Sequence, residues 1–245
     1  MKTSVYFTLF FLLLAASNYA QSLSIQERLG YTADTKLLII HADDIGVSHS
    51  ENMASIHAME NGLVNSGSIM VPCPWFPEIA AYAAEHAEAD FGLHLTITSE
   101  WKYLKWGPVS CAENVPGLVN EYNHFYRSRD DVKNNARAEE IEEELRKQIE
   151  LALKYGIDIT HLDSHMFTLY LRPEYLAVYK KLGKEYKLPI LLNAEYLTLF
   201  GLNAQEHINE DIVVDKVYMA YPQDYEKGMA NFYSEAIRSM QPGLN

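Results

Sequence analysis

The chain has 245 residues, 48% of them hydrophobic and 22% charged, which suits one large globular α/β domain or at most two small ones. Its formal net charge is -13 and no basic block interrupts the acidity. That argues against a nucleic-acid partner and favours a neutral or cationic substrate over a polyanion.

Residues 1–20 stand apart from the rest. Lys2 precedes an almost wholly apolar run from Val5 to Ala16, and Asn18-Tyr19-Ala20 ends in a small residue before Gln21. This pattern reads as a secretory signal peptide, leaving a periplasmic or secreted chain over residues 21–245 as a single domain. An uncleaved anchor is the other reading of the same segment. The run is short for a membrane-spanning helix, so no stable span is expected after cleavage. The sequence does not fix the oligomeric state, and a homodimer stays open. Cys73 and Cys111 are the only cysteines. Export would permit them to pair, and two buried free thiols are the alternative.

Strand-like and helix-like segments then alternate. Lys36 to Ala42 has the apolar, β-branched composition of a buried strand. A helix is expected over 51–61, closed by Gly62, then a strand over 66–71. Pro77 opens a helix to His86, and Asp90 to Thr96 reads as a third strand. Trp101 to Arg129 is long, aromatic and rich in Pro and Asn, and reads as an excursion from the domain. Ala138 to Tyr155 is the clearest helix, with Ile141, Leu145, Ile149 and Leu153 at four-residue spacing and Glu crowding its first half. Residues 157–165, 188–193 and 212–220 read as further strands, and 173–187 and 225–240 as helices. Such alternation predicts parallel strands with helices outside them, as an open sheet or a closed barrel.

The chemistry sits at the C-terminal ends of these strands, where parallel α/β folds gather reactive groups. HADDIG (41–46) places two carboxylates at the end of an apolar strand. Neighbouring side chains on a strand point opposite ways, so Asp43 and Asp44 divide into one metal ligand and one general base, or one of them caps the next helix. GLHLT (92–96) carries His94 mid-strand, as a ligand or as a satisfied core histidine. THLDSH (160–165) would project His161, Asp163 and His165 from one strand face, as ligands or as a hydrogen-bonded His–Asp pair. Together the three strand ends offer a two-His, one-carboxylate set, which leaves positions open for water and substrate and suits amide or ester hydrolysis. No GxSxG, P-loop or dinucleotide fingerprint is present.

HADDIGVS, SGSIMVPCPWF, GLHLTIT and THLDSH, in that order and spacing, resemble the motifs of the YdjC/ChbG-like carbohydrate deacetylases, within the wider barrel group that includes polysaccharide deacetylases. The resemblance runs from about Leu37 to Leu244. It implies an irregular (β/α) barrel and hydrolysis of an N-acetyl group on a sugar such as a chitooligosaccharide. It implies one divalent metal ion, Mg²⁺ or Zn²⁺, held by Asp44, His94 and His165, with Asp43 as general base. His161 and Asp163 would then lie behind the ligands or face the substrate. The family pattern has a further His where Phe167 stands here, and a further strand bearing a His beyond a PGL segment, whereas this sequence ends at Asn245 and the barrel is expected to be incomplete there. Among the loop aromatics, Trp101 and Trp106 are the first candidates for a sugar platform, and packing of the loop is the competing role. A catalytically silent sugar-binding relative and an amidohydrolase acting on a non-sugar amide or ester are the alternative functions.

Overall fold

The computed structural model describes residues 23–208 and 212–245; the expected signal peptide lies outside them. Its centre is a parallel sheet in the order β2 (His41–Ile45), β3 (Ser66–Ile69), β4 (Phe91–Leu95) and β5 (Leu162–Ser164). Every residue of β3, β4 and β5 is buried. Helices His49–Asn61, Phe76–Glu85 and Ala138–Lys154 fall between successive strands, so the α/β alternation read from the sequence is the observed architecture. No helix among the described residues is long and apolar enough to cross a membrane.

The strand expected over 36–42 is split. β1 (Lys36–Leu37) pairs in parallel with β6 (Gly243–Leu244), and β2 begins only at His41 and runs on through both aspartates. Residues 188–193 and 212–220, expected as strands, form no regular ladder among the described residues. They are tied in by a few backbone bonds instead, with Leu162 bridging Ile190 in parallel. Leu191 N–H donates to Leu162 O at 2.9 Å, Val214 N–H to Leu192 O at 2.9 Å, Asp215 N–H to Leu244 O at 2.8 Å, and Asn245 N–H to Leu37 O at 2.9 Å. Side chains fill in for the missing ladder. Asn193 Nδ2 donates to Val214 O, and Asp215 Oδ2 accepts from Leu244 N–H. Backbone hydrogen bonding thus passes from β5 round to β1, although regular pairing is confined to two groups of strands. The helix expected over 225–240 breaks at Gly228, whose φ of 90° suits a residue without a Cβ, into Pro222–Lys227 and Met229–Ser239.

The helix Ala138–Lys154 buries Ile141, Leu145, Ile149 and Ala152, whereas Leu153 is 49% exposed. A four-residue step overshoots the 3.6-residue turn by about 40°, so three such steps carry Leu153 off the buried face and Ala152 takes its place. The same helix buries a polar row. Glu140 accepts from Gly117 N–H, and Glu144 accepts from Val109 and Ser110 N–H. Gln148 Oε1 accepts from Thr96 N–H at 3.0 Å, and its Nε2 donates to Thr96 O at 2.6 Å. The excursion over 101–129 is therefore pinned down. Gln148 also supplies the partner that Thr96, one residue beyond β4, no longer finds in a neighbouring strand.

Gln148→Met keeps the volume but strands both backbone groups of Thr96. It should lower the unfolding free energy by about 2 kcal/mol in urea titration. An unchanged midpoint would show that Thr96 finds other partners.

Candidate metal centre

The site begins with a distortion of β2. Asp44 has φ 58°, and the β2–β3 register shifts between Ala42 and Ile45. This local bulge overturns strict strand alternation for the DD pair. Asp43 is left exposed at the strand end, while Asp44 Oδ1 turns into the interior. Gly46, with φ 106°, completes the turn; a Cβ there would lie 3.1 Å from Met70 O. Neither aspartate caps the following helix, because Ser48 does so by accepting from Glu51 N–H.

Asp44 Oδ1 lies 3.1 Å from His165 Nδ1 and 3.4 Å from His94 Nε2, and the three atoms are all within 4.8 Å of one another. Asp44 Oδ1 is shielded from solvent, and neither contact has hydrogen-bond geometry. A buried carboxylate oxygen without a donor is costly, and a cation between the three atoms would satisfy it. Ligands about 2.1 Å from a common ion stand roughly 3.0–3.4 Å apart, as both contacts do. The residues therefore fit a divalent metal. Two imidazoles and one carboxylate serve Zn²⁺ or Mg²⁺ without choosing between them.

Each histidine is held from behind by a further carboxylate. Asp163 Oδ1 is 2.7 Å from His94 Nδ1, and Glu100 Oε2 is 3.0 Å from His165 Nε2. Protons on those outer nitrogens leave the inner ones with lone pairs facing Asp44, a tautomer assignment that rests on the partners. The same contacts govern the charges. Burial pushes the Asp44 carboxyl up, but His165 and His94 outweigh it and hold the group far below the usual carboxylate range. Asp163 is likewise held down against its burial, first by His94 and then by His41. Burial opposes charge on both imidazoles, yet Asp163 and Asp44 raise His94 well above its ordinary value, and Asp44 and Glu100 raise His165. Without an ion, two imidazolium groups can thus balance carboxylates that a divalent cation would otherwise neutralise.

Asp44, His94 and His165 thus come together, with Asp163 behind His94; Asp43 is exposed and next to Asp44 in sequence. His161 does not join them. β5 starts only at Leu162, and His161 lies against His41, ring centroids 5.4 Å apart, with Nδ1 2.8 Å from Thr160 Oγ1. It occupies space that Gly92 leaves free, since a Cβ on Gly92 would come within 2.4 Å of the ring. Trp106 is 3% exposed and donates its indole N–H to Thr98 O, so it packs the excursion and presents no face to a sugar. Trp101 is 51% exposed and keeps one available. Phe167 has φ 52° and stacks on Tyr196 at 4.3 Å. Both cysteines are free; Cys73 is buried and Cys111 exposed.

Glu100, Ser68 and His41 were missed in the sequence. Alternation along SGSI and its neighbour FGLHL, which puts Ser66, Ser68 and His94 on one sheet face, was the available signal for Ser68. Glu100 stands beyond the strand in irregular chain, where no periodicity points to it.

A family model described as YdjC-like protein matches residues 37–242. A carbohydrate deacetylase of Thermus thermophilus is 38% identical over 162 residues, covering 66% of this chain and 55% of that protein. Another, from Brevibacillus brevis, is 35% identical over 164 residues, covering 67% and 60% respectively. The chain thus spans somewhat more than half the length of these relatives. A solved structure from Enterococcus faecalis V583, whose description provisionally assigns it to cellobiose-phosphate cleavage, superposes with a TM-score of 0.67 at 26% identity over 85% of this chain and 78% of its own.

Calorimetric titration with Zn²⁺ should show one site that His94→Ala or His165→Ala removes. Glu100→Gln should weaken it by about tenfold or more, as expected for the partner of a ligand histidine. Undiminished binding in His165→Ala would dissolve the site. Because both histidines hold their protons above the ordinary value of about 6.5, protons compete with the ion at higher pH than usual. Affinity should therefore begin to fall, as pH drops, at a higher pH than for ordinary histidine ligands.

Proposed function

The chain belongs to the YdjC-like family, and on that premise we propose that it is a metal-dependent carbohydrate deacetylase acting on an N-acetylated sugar of the chitooligosaccharide kind. The observation that carries the reading is the donorless, buried oxygen of Asp44 between two imidazole nitrogens. The carbohydrate deacetylases among its relatives supply the substrate class.

Asp44, His94 and His165 would hold the ion. When bound, such an ion acidifies a water and polarises an amide carbonyl. The chain's own residues do the rest. Asp43, exposed on the same strand and next in sequence to Asp44, would take the proton of the water that adds to the acetyl carbon. As the carbon–nitrogen bond breaks, the carboxyl so formed can return that proton to the departing amine, leaving acetate and a free amino sugar. Asp163 and Glu100 keep the ligand nitrogens aimed inward throughout. The half-exposed face of Trp101, one residue beyond Glu100, offers a platform for a sugar ring. The charged-then-apolar leader over residues 1–20 supports export, so the reaction would take place outside the cytoplasm.

Incubation with N,N′-diacetylchitobiose and Zn²⁺ or Mg²⁺ should release acetate. Asp43→Asn should reduce that rate by about 10²–10⁴-fold while calorimetry finds the metal still bound. Full activity in Asp43→Asn would remove it from the base role. Sugar binding without acetate release by the metal-loaded wild type would favour the silent relative. Mass spectrometry of the exported chain should find an N-terminus at Gln21; a retained leader would overturn the cleavage.

A further inference from the structure

The interior face of the sheet carries a second polar layer behind the metal centre. His41 on β2, Ser66 and Ser68 on β3, and Asp163 on β5 meet there. His41 Nδ1 is 3.0 Å from Ser66 Oγ, and its Nε2 is 2.9 Å from Ser68 Oγ and 3.2 Å from Asp163 Oδ2. Ser68 Oγ donates to Asp163 Oδ2 at 2.9 Å, and Asp163 Oδ1 faces His94 Nδ1 at 2.7 Å.

We propose that His41 is a positioning residue of the metal centre, fixing ligand His94 through Ser68 and Asp163. The inference rests on the reading that Asp44, His94 and His165 hold an ion. Proton counting gives the chain of bonds its direction. Ionised Asp163 can only accept. Ser68 has a single proton and gives it to Asp163, so the Ser68 oxygen must receive from His41 Nε2–H. Whether or not His41 is charged, its inward nitrogen therefore carries a proton. At the other oxygen of Asp163, His94 must present Nδ1–H, and this leaves His94 Nε2 with the lone pair directed at Asp44. Moving the His94 proton from Nδ1 to Nε2 would turn a lone pair on a buried carboxylate. His41 and Ser68 guard against this by holding Asp163 Oδ2, so that the carboxylate cannot swing away from His94.

The location of His41 separates this role from catalysis. It stands at the start of β2, three residues before Asp44, and makes no contact with the three ligand atoms. Its side chain is 27% exposed, so its replacement need not unfold the sheet.

The test is calorimetric titration of Zn²⁺ into the metal-free full chain, with unfolding temperatures recorded alongside, for wild type, His41→Ala and His41→Gln. His41→Ala should bind Zn²⁺ about tenfold more weakly, at the low end of what loss of a ligand's supporting partner costs. His41→Gln, whose amide nitrogen can stand in for the inward N–H, should recover most of that loss. Wild-type affinity in His41→Ala would overturn the proposal, even with a lowered unfolding temperature, because His41 would then only support the fold. Equal weakness in His41→Gln would overturn it too, since ring packing and not the donor would matter. A wild type that binds no Zn²⁺ and no Mg²⁺ would overturn the metal reading, and the proposal with it; that result differs from tight wild-type binding left unchanged by the variants.

Discussion

Asp163 has 5% of its surface exposed and sits on β5, the last strand of the four-stranded sheet, where an ionised carboxylate survives only if donors replace the water it has lost. His94 and Ser68 are those donors, and His41 stands 3.2 Å away behind Ser68, the three drawn from neighbouring strands. The register that pairs His94 with Asp163 and Ser68 with Gly92 is what brings them within reach. A slip by one residue would send each side chain to the other face. The polar interior therefore specifies the register as firmly as the apolar residues around it, and orienting His94 follows from meeting that demand.

The candidate metal centre stands above this layer and repeats its logic with the opposite balance. Below, a carboxylate has enough donors. Above, Asp44 Oδ1 has none with acceptable geometry, although two nitrogens are close. The difference arises from the backbone. A left-handed residue in a strand carries strain of about 1–3 kcal/mol, and it is tolerated at Asp44 where it aims a carboxylate inward that regular alternation would not have placed there. Two more left-handed residues, Met166 and Phe167, follow His165 directly and take the chain out of β5 at the ligand itself. Departures from ideal geometry thus flank two of the three ligands.

The sequence disclosed the regular part of this and little of the irregular part. Apolar runs and helical spacing located β3, β4 and the long helix, and polar residues at strand ends picked out Asp44, His94 and His165. The left-handed turn at Asp44 has no signature beyond the glycine two residues on, so the division of labour within the DD pair came from family resemblance and not from alternation. His161 was grouped with Asp163 and His165 because a full strand over 157–165 was assumed, whereas β5 has three residues. Glu100 approaches His165 across 65 residues of sequence from irregular chain. Glu140 and Glu144 fit the helix dipole as part of the Glu-rich first half, while their main work, like that of Gln148, is tertiary.

The uneven closure of the sheet bears on how the molecule breathes. Regular ladders hold β2 to β5 and β1 to β6, but the path from β5 through residues 190–193 and 214–215 to Leu244 rests on a few backbone bonds and on the side chains of Asn193 and Asp215. Local opening begins where the fewest bonds must break together, so this seam is expected to exchange its amide protons with solvent ahead of the laddered strands. The ligands Asp44, His94 and His165 all belong to the laddered side. Transient parting of the seam would therefore loosen that side of the domain while Asp44, His94 and His165 kept their mutual positions.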